Sequence, residues 1–322
     1  MKAIVCTSYG PSDVLQLREI QKPVPGADDV LIKICASTVT TGDCELRTLT
    51  LPLWTRIPMR LFMGYSKPKH FIPVMELSGV IESVGRNVHL LKAGDSVFGS
   101  SGMRMGANAE YKSRSVKGAL AIKPAGLSFE DATTIPVGGI NALHFLRKAN
   151  IRPGQKVLVI GAGGAIGTYG VQLAKLYGAE VTAVDARAKL EMLRSIGADH
   201  LIDYSEGDYF ENRIKYDVIF DMVYGSPYSK CIAALTERGV YLMANPGPAR
   251  MFRSLWMPRK SKKKVIFQFA AETVEDLSYL ADLVVSKKIK PVIDKTYPLE
   301  KTAEAHAYVE HGHKKGCIVI KC

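Results

Sequence analysis

The short run Lys156-Val157-Leu158-Val159-Ile160 passes without a spacer into Gly161-Ala162-Gly163-Gly164-Ala165-Ile166-Gly167, and the glycines lead into a helix-spaced segment over 168–177. That order admits few folds. A strand that is apolar along nearly its whole length is covered on both faces, which requires a parallel sheet between helical layers. Val171, Leu173, Ala174 and Leu176 supply the helical spacing, and Gly178 stands where a helix stops. The pattern then recurs. Glu180-Val181-Thr182-Ala183-Val184 reads as a strand and 189–196 as a helix ended by Gly197. Asp217-Val218-Ile219-Phe220 and Val240-Tyr241-Leu242-Met243 read as further strands with a helix between them. Strands alternating with helices predict a doubly wound α/β domain.

The glycine segment reads G-x-x-G-x-x-G through Gly161, Gly164 and Gly167, which differs from the literal G-x-G-x-x-G. The physics is shared. Glycines permit a tight turn and bring backbone N–H groups, here including those of Gly163, Ala165 and Ile166, close to a pyrophosphate at a helix N-terminus. Asp185 ends the next strand, 21 residues beyond Gly164, where a carboxylate grips a ribose. No G-K-[ST] follows, so a nucleoside-triphosphate loop is excluded. The expected ligand is a dinucleotide, and the choice between NAD and NADP is left open. Asp185 favours NAD, whereas Arg187, Lys189 and Tyr204 stand where they would hold a 2′-phosphate. Thr134 and Phe269 complete the candidate cofactor set.

Composition narrows the class further. The chain has 322 residues, 47% hydrophobic and 23% charged, which is one large or two ordinary globular domains. No apolar run approaches the length of a membrane span. Met1-Lys2-Ala3-Ile4-Val5 shows no signal-peptide pattern. The six cysteines are scattered without a C-x-x-C pair, which fits reduced thiols and a cytoplasmic location. A net charge of +12 suits anionic partners without choosing among them.

The first third is β-rich, with Val30-Leu31-Ile32-Lys33-Ile34 and Val80-Ile81-Glu82-Ser83-Val84 bounded by turn signals. Residues 51–70, holding Pro52, Trp54, Pro58, Phe62, Met63, Tyr65 and Pro68, are expected to form a long loop with short helical pieces. Tyr65-Ser66-Lys67-Pro68-Lys69 matches Y-x-x-x-K by chance, because Pro68 opposes the shared helix face that pairing needs. Tyr65 remains a lone candidate proton donor, Thr40 is the second, and Asp43 is given a structural role.

With the glycine loop at mid-chain behind a β-rich region, the chain resembles the medium-chain dehydrogenase/reductase superfamily in its zinc-independent, quinone-oxidoreductase-like branch. The motifs that carry the resemblance are Gly94-Asp95-Ser96-Val97, Ala107-Asn108-Ala109-Glu110-Tyr111, Ile135-Pro136-Val137-Gly138-Gly139, the glycine loop, Gly197-Ala198-Asp199-His200 and Asp203-Tyr204. The resemblance implies a Rossmann cofactor domain over 130–269 inserted in a GroES-like β-rich catalytic domain made of 1–129 and 270–322. In zinc-bearing relatives a Cys, a His and a second Cys hold the metal, and those places fall here on Thr40, Met75 and Val137. Glu76 stands beside the lost histidine, the relatives' Ser/Thr proton-relay place falls on Gly42, and Gly99-Ser100-Ser101-Gly102-Met103-Arg104 replaces the structural zinc lobe. No metal is expected, since Thr, Met and Val do not make the N/S tetrahedral site zinc prefers. Without a Lewis acid, deprotonation of a simple alcohol lacks support. Hydride addition to a conjugated acceptor needs only hydrogen-bond donors at a remote oxygen. The expected activity is NAD(P)H-dependent reduction of a quinone or an α,β-unsaturated carbonyl, on a small apolar acceptor. The alternatives are a zinc-free alcohol or aldehyde dehydrogenase, and a non-catalytic nucleotide-binding protein associated with membranes.

Residues 250–264 hold seven basic and five large apolar side chains and no acidic one. They are expected to form a basic surface helix whose apolar face covers the substrate cleft beside Trp54 and Phe62. Peripheral membrane contact is the second reading. No specific nucleic-acid module is visible. Lys264-Val265-Ile266-Phe267-Gln268-Phe269 is expected to be the last strand of the cofactor sheet, and the resemblance implies a homodimer across that edge. His306, His311, His313 and Cys317 are expected to face solvent and hold no metal.

Overall fold

The computed structural model describes residues 1–50, 53–65, 68, 72–211, 213–255 and 261–322, with backbone alone for residues 53, 54, 103 and 255. The chain divides into two compact units. The first holds Met1–Val137, Glu272–Ser286 and Ile293–Cys322, and the second holds Gly138–Ala271 and Lys287–Val292.

The first unit opens with β1 (Lys2–Cys6) and β2 (Leu15–Glu19), an antiparallel pair. Next come β3 (Asp29–Val39), α1 (Thr41–Thr48), α2 (Leu53–Met63), β4 (Glu76–Val84), β5 (Ser96–Ser100), β6 (Tyr111–Ser115), β7 (Leu120–Ile122) and α3 (Phe129–Ala132). The second unit contributes α4 (Ile140–Ala149), β8 (Lys156–Ile160), α5 (Ala165–Leu176), β9 (Glu180–Asp185), α6 (Arg187–Ser195), β10 (His200–Asp203), β11 (Tyr216–Asp221), α7 (Tyr228–Ala234), β12 (Leu235–Met243), α8 (Pro248–Leu255) and β13 (Lys264–Ile266). The chain then returns with α9 (Val274–Val285), β14 (Ile293–Pro298), α10 (Thr302–Glu310) and β15 (Cys317–Lys321).

The main sheet of the first unit runs β14-β15-β3-β4-β5-β7, with β6 also paired to β3. Val30, Ile32 and Ile34 alternate along β3 and bury themselves with Leu77, Ile81 and Val97. A second cluster joins Ile4, Cys6, Val39 and Cys44 to Ile318 and Ile320 on β15.

Residues 53–63 form one helix with Pro58 inside it, not the loop with helical fragments expected. The reason is packing. Met59 and Met63, one turn apart, set α2 against Leu46, Met75 and Met105, so tertiary contacts outweigh the lost Pro58 hydrogen bond. Trp54's side chain, Ser66, Lys67 and Lys69 lie outside the described residues.

The histidine expectation also fails in part. His306 is fully buried on α10, with its Nδ1 3.4 Å from Cys44 Sγ, and Cys317 is buried on β15. Beside them Arg47 is fully buried, paired with Glu310 at 2.5 Å and donating to the Gly10 carbonyl at 2.5 Å. No group of three or more metal-ligating His, Cys, Asp or Glu side chains occurs among the described residues.

In the second unit every strand pairing is parallel and the order is β10-β9-β8-β11-β12-β13. This is the doubly wound Rossmann arrangement, in which the chain builds outward from β8 and then returns to lay β11 on its other side. Residues 287–292, expected with the flanking domain, group here for a visible reason. The Gln172 side chain on α5 donates from Nε2 to the Lys290 carbonyl at 2.9 Å and accepts from the Lys290 N–H at 2.8 Å. Strand β13 stops at Ile266, short of the expected 269, and Phe269 is fully exposed. No helix among the described residues is long and apolar enough to cross a membrane.

Candidate functional site

The glycine loop leaves β8 held by its neighbour strand: the N–H groups of Gly161 and Ala162 donate to the Val184 carbonyl at 3.0 and 3.2 Å. Gly161 has φ of +80°, a conformation L-residues with side chains rarely adopt. A Cβ on Gly167 would stand 2.4 Å from the Gly161 carbonyl oxygen and 2.6 Å from that of Ala162, so only glycine lets α5 start this close to the loop. Gly164 caps α5 with no side-chain hydrogen bond. The first turn of α5 therefore presents backbone N–H groups and the positive end of the helix dipole without a side-chain cap, which is the chemistry a pyrophosphate requires.

Asp185 does not present a free ribose grip. Its Oδ2 accepts from Gly163 N–H at 2.7 Å and its Oδ1 from Ala186 N–H at 2.8 Å. Lys189 Nζ lies 3.0 Å from Oδ1, and both side chains are largely buried. The carboxylate thus shapes the glycine loop. Arg187, in contrast, leaves 73% of its side chain exposed while Nε donates to Asp203 Oδ2 at 3.1 Å and the guanidinium also pairs with Glu206. Tyr204, one residue beyond Asp203, is exposed. Thr134 is buried in the first unit, where its hydroxyl donates to the Asp131 carbonyl at 2.7 Å.

In the first unit, the three places that hold zinc in metal-bearing relatives carry a hydroxyl, a thioether and an isopropyl group. Thr40 caps α1: its hydroxyl donates to Asp43 Oδ2 at 2.6 Å and accepts from Asp43 N–H at 3.2 Å, while its own N–H donates to the same carboxylate at 2.8 Å. Asp43 is buried, and burial raises its carboxyl to about 6 against the two Thr40 bonds. Its structural role is that of a capping box. Met75 packs on the methionine cluster beneath α2. Val137's backbone N–H donates to Glu76 Oε1 at 2.7 Å, and Thr38's hydroxyl donates to Glu76 Oε2. Burial pushes Glu76 up to about 8 despite both bonds. This donor set does not fit a zinc ion. Tyr65 follows α2 with 74% of its surface exposed and its ring over the Arg60 guanidinium, 5.7 Å away.

One cluster was not legible in the sequence. Asp221, at the end of β11, is buried and accepts from Val223 N–H and Ser226 Oγ at 2.9 Å each and from Tyr241 Oη at 2.6 Å. Burial first, then the Asp221 charge, holds the Tyr241 phenol far above its usual range. Arg250 also reaches Asp221 and Tyr241. The arginine expected on a basic surface helix is thus 7% exposed, and on that helix Phe252 is exposed. A carboxylate closing a central strand was the available signal. Trp256 and residues 257–260 lie outside the described residues.

The alcohol dehydrogenase GroES-like domain model matches residues 26–156 and the zinc-binding dehydrogenase model matches residues 196–320. A 2-methylene-furan-3-one reductase of Solanum lycopersicum is 32% identical over 99% of this chain and 79% of its own length. An NADPH-dependent alkenal/one oxidoreductase, chloroplastic, of Arabidopsis thaliana is 30% identical over the same shares of each chain. Among solved structures, the quinone oxidoreductase from Coxiella burnetii superposes with a TM-score of 0.89 at 26% identity, covering 100% of this chain and 99% of that one.

Proposed function

The chain belongs to the medium-chain dehydrogenase/reductase superfamily, in its quinone-oxidoreductase branch, and on that premise we propose that it is a zinc-independent, NADPH-dependent reductase of quinones and α,β-unsaturated carbonyls. The observation that carries this reading is the donor set Thr40, Met75 and Val137, which supplies no Lewis acid site. A conjugated acceptor places developing charge on an oxygen remote from the attacked carbon, where hydrogen-bond donors are enough.

When bound, the nicotinamide supplies the hydride. The protein's own residues bind and orient: the uncapped first turn of α5 takes the pyrophosphate. Arg187 and Tyr204 are accessible for a 2′-phosphate, and Asp185 is committed to Gly163 and Ala186 rather than to a ribose. That arrangement supports NADPH over NADH. The name of the Arabidopsis relative agrees.

The Thr40 hydroxyl is spent on Asp43, so it serves the fold of α1 before any acceptor. Tyr65 stays the candidate donor.

We further propose a homodimer that covers the open side of β13, a small apolar acceptor, and a cytoplasmic location on the six free cysteines. Nucleic acid has no place in this proposal. Membrane contact through 250–264 loses support from Arg250, which faces Asp221 and not solvent.

The test is NADPH and NADH oxidation against 1,4-quinones, enals and enones, run with a chelator present. Turnover with NADPH and a conjugated acceptor is expected, together with no NADP⁺ reduction by 2-propanol. Absence of turnover with every acceptor, or alcohol oxidation that the chelator abolishes, overturns the proposal.

A further inference from the structure

We infer that Arg250 is a positioning residue for the dinucleotide, setting the wall of its crevice opposite the glycine loop; the inference rests on the cofactor reading above. In a doubly wound sheet the ligand crevice opens beyond the carboxyl ends of the strands at the point where the strand order reverses. Here that point lies between β8 and β11, which are adjacent and parallel. The loop leaving β8 is the glycine loop, and the loop leaving β11 is 222–226. The two touch: a Cβ on Gly161 would stand 3.0 Å from Val223 Cγ2, and Met222 N–H donates to the Ile160 carbonyl at 3.1 Å.

Val223 is held at both of its backbone groups. Its N–H donates to Asp221 Oδ1 at 2.9 Å, and its carbonyl accepts from Arg250 Nη1 at 2.9 Å. Arg250 Nη2 donates to Asp221 Oδ2 and to Tyr241 Oη. One guanidinium therefore spans a carboxylate, a phenol and a loop carbonyl, a task its planar fork performs and a lysine ammonium, as a point charge, does not. The loop is also pinned farther on, where the Tyr224 ring covers Gly247: a Cβ there would stand 3.0 Å from Tyr224 Cε2. Without Arg250 the Asp221 charge stays buried with its cation gone, and the Val223 carbonyl keeps only the longer bond from Ser226 Oγ at 3.3 Å. The loop then samples conformations that a bound dinucleotide must reorder, and affinity falls by that cost.

Isothermal titration calorimetry of NADPH against wild type, Arg250→Met, Arg250→Lys and Arg253→Met tests this. Arg250→Met is expected to weaken NADPH about 10- to 100-fold, the range for losing hydrogen bonds to a charged group. Arg250→Lys restores only part of it, and kcat at saturating NADPH stays within about twofold, since the groups that touch substrate are untouched. Arg253→Met, an exposed neighbour on α8, binds as wild type does. A folded Arg250→Met that binds NADPH with the wild-type Kd overturns the inference. If Arg250→Met does not fold, Arg250→Lys decides, because it keeps a cation beside Asp221 but not the fork that also holds the Val223 carbonyl: about threefold weaker binding is expected, and wild-type binding overturns the inference. Failure of the wild type itself to bind NADPH refutes the cofactor reading, a result distinct from these.

Discussion

Lys189 covers Asp185, with its ammonium 3.0 Å from the carboxylate that also receives the Gly163 N–H. The acidic residue at the end of β9 is therefore a strut of the glycine loop. Asp185→Asn is expected to weaken NADPH and NADH alike, by about tenfold, the scale of a lost charge-assisted hydrogen bond. The ratio of kcat/KM for the two cofactors should stay constant. A selective loss of NADH use would show instead that Asp185 reads the ribose.

Arg187 behaves differently because its side chain is exposed and shares two carboxylates, Asp203 and Glu206. Arg187→Ala should raise KM for NADPH about tenfold and leave KM for NADH unchanged, since only the former carries the phosphate that a guanidinium grips. Steady-state kinetics with both cofactors measures it. Equal effects on the two would place the 2′-phosphate elsewhere.

Gly167→Ala pushes a methyl group to 2.4 and 2.6 Å from two backbone carbonyl oxygens. Backbone cannot swing aside as a side-chain end does, so the start of α5 must move. We expect a loss of about 1–3 kcal/mol in urea unfolding, the usual cost of overpacking. NADPH binding should fall below detection in calorimetry. Wild-type affinity in this variant would dissociate the α5 terminus from the pyrophosphate.

His306 predicts acid sensitivity. Burial first, and then the Arg47 charge, pushes its imidazole down to about 3, whereas the unfolded chain titrates near 6.5. Because the folded value is depressed, the unfolded state binds more protons between those limits. Stability is therefore intact above about pH 6.5 and is lost as pH falls toward 3, at roughly 1.4 kcal/mol per unit for this group. Denaturant midpoints at pH 7, 6 and 5 should decline in the wild type. The decline should be shallower in His306→Gln, and equal slopes would assign the acid sensitivity to other groups.

Local rules made part of this legible. The glycine loop and the parallel strands follow from short runs whose meaning does not depend on distant residues. The capping role of Thr40 was also within reach, since Asp43 stands at the third position of α1. Arg250 was not. Its neighbours in sequence are basic and apolar and suggest a surface, but its partner Asp221 stands 29 residues earlier and arrives only through the sheet. His306 was misread for the same reason, as Cys44 on α1 is 262 residues away. Helix α2 was obscured by Pro58, whose cost is offset by packing on Leu46, Met75 and Met105 from three other segments. Arg250 and His306 were misread where composition was taken as exposure, and Asp185 where a motif position was taken as a free carboxylate.

Strand β15 lies between β14 and β3, so the sheet that opens near the start of the chain has a gap filled only by residues 317–321. On a ribosome, the stretch 138–271 emerges while that gap is still vacant, and domains fold as they emerge. The nucleotide half can therefore mature first, and the other half must wait with Val39 and Thr38 unpaired on one side until Ile318 and Val319 slot in.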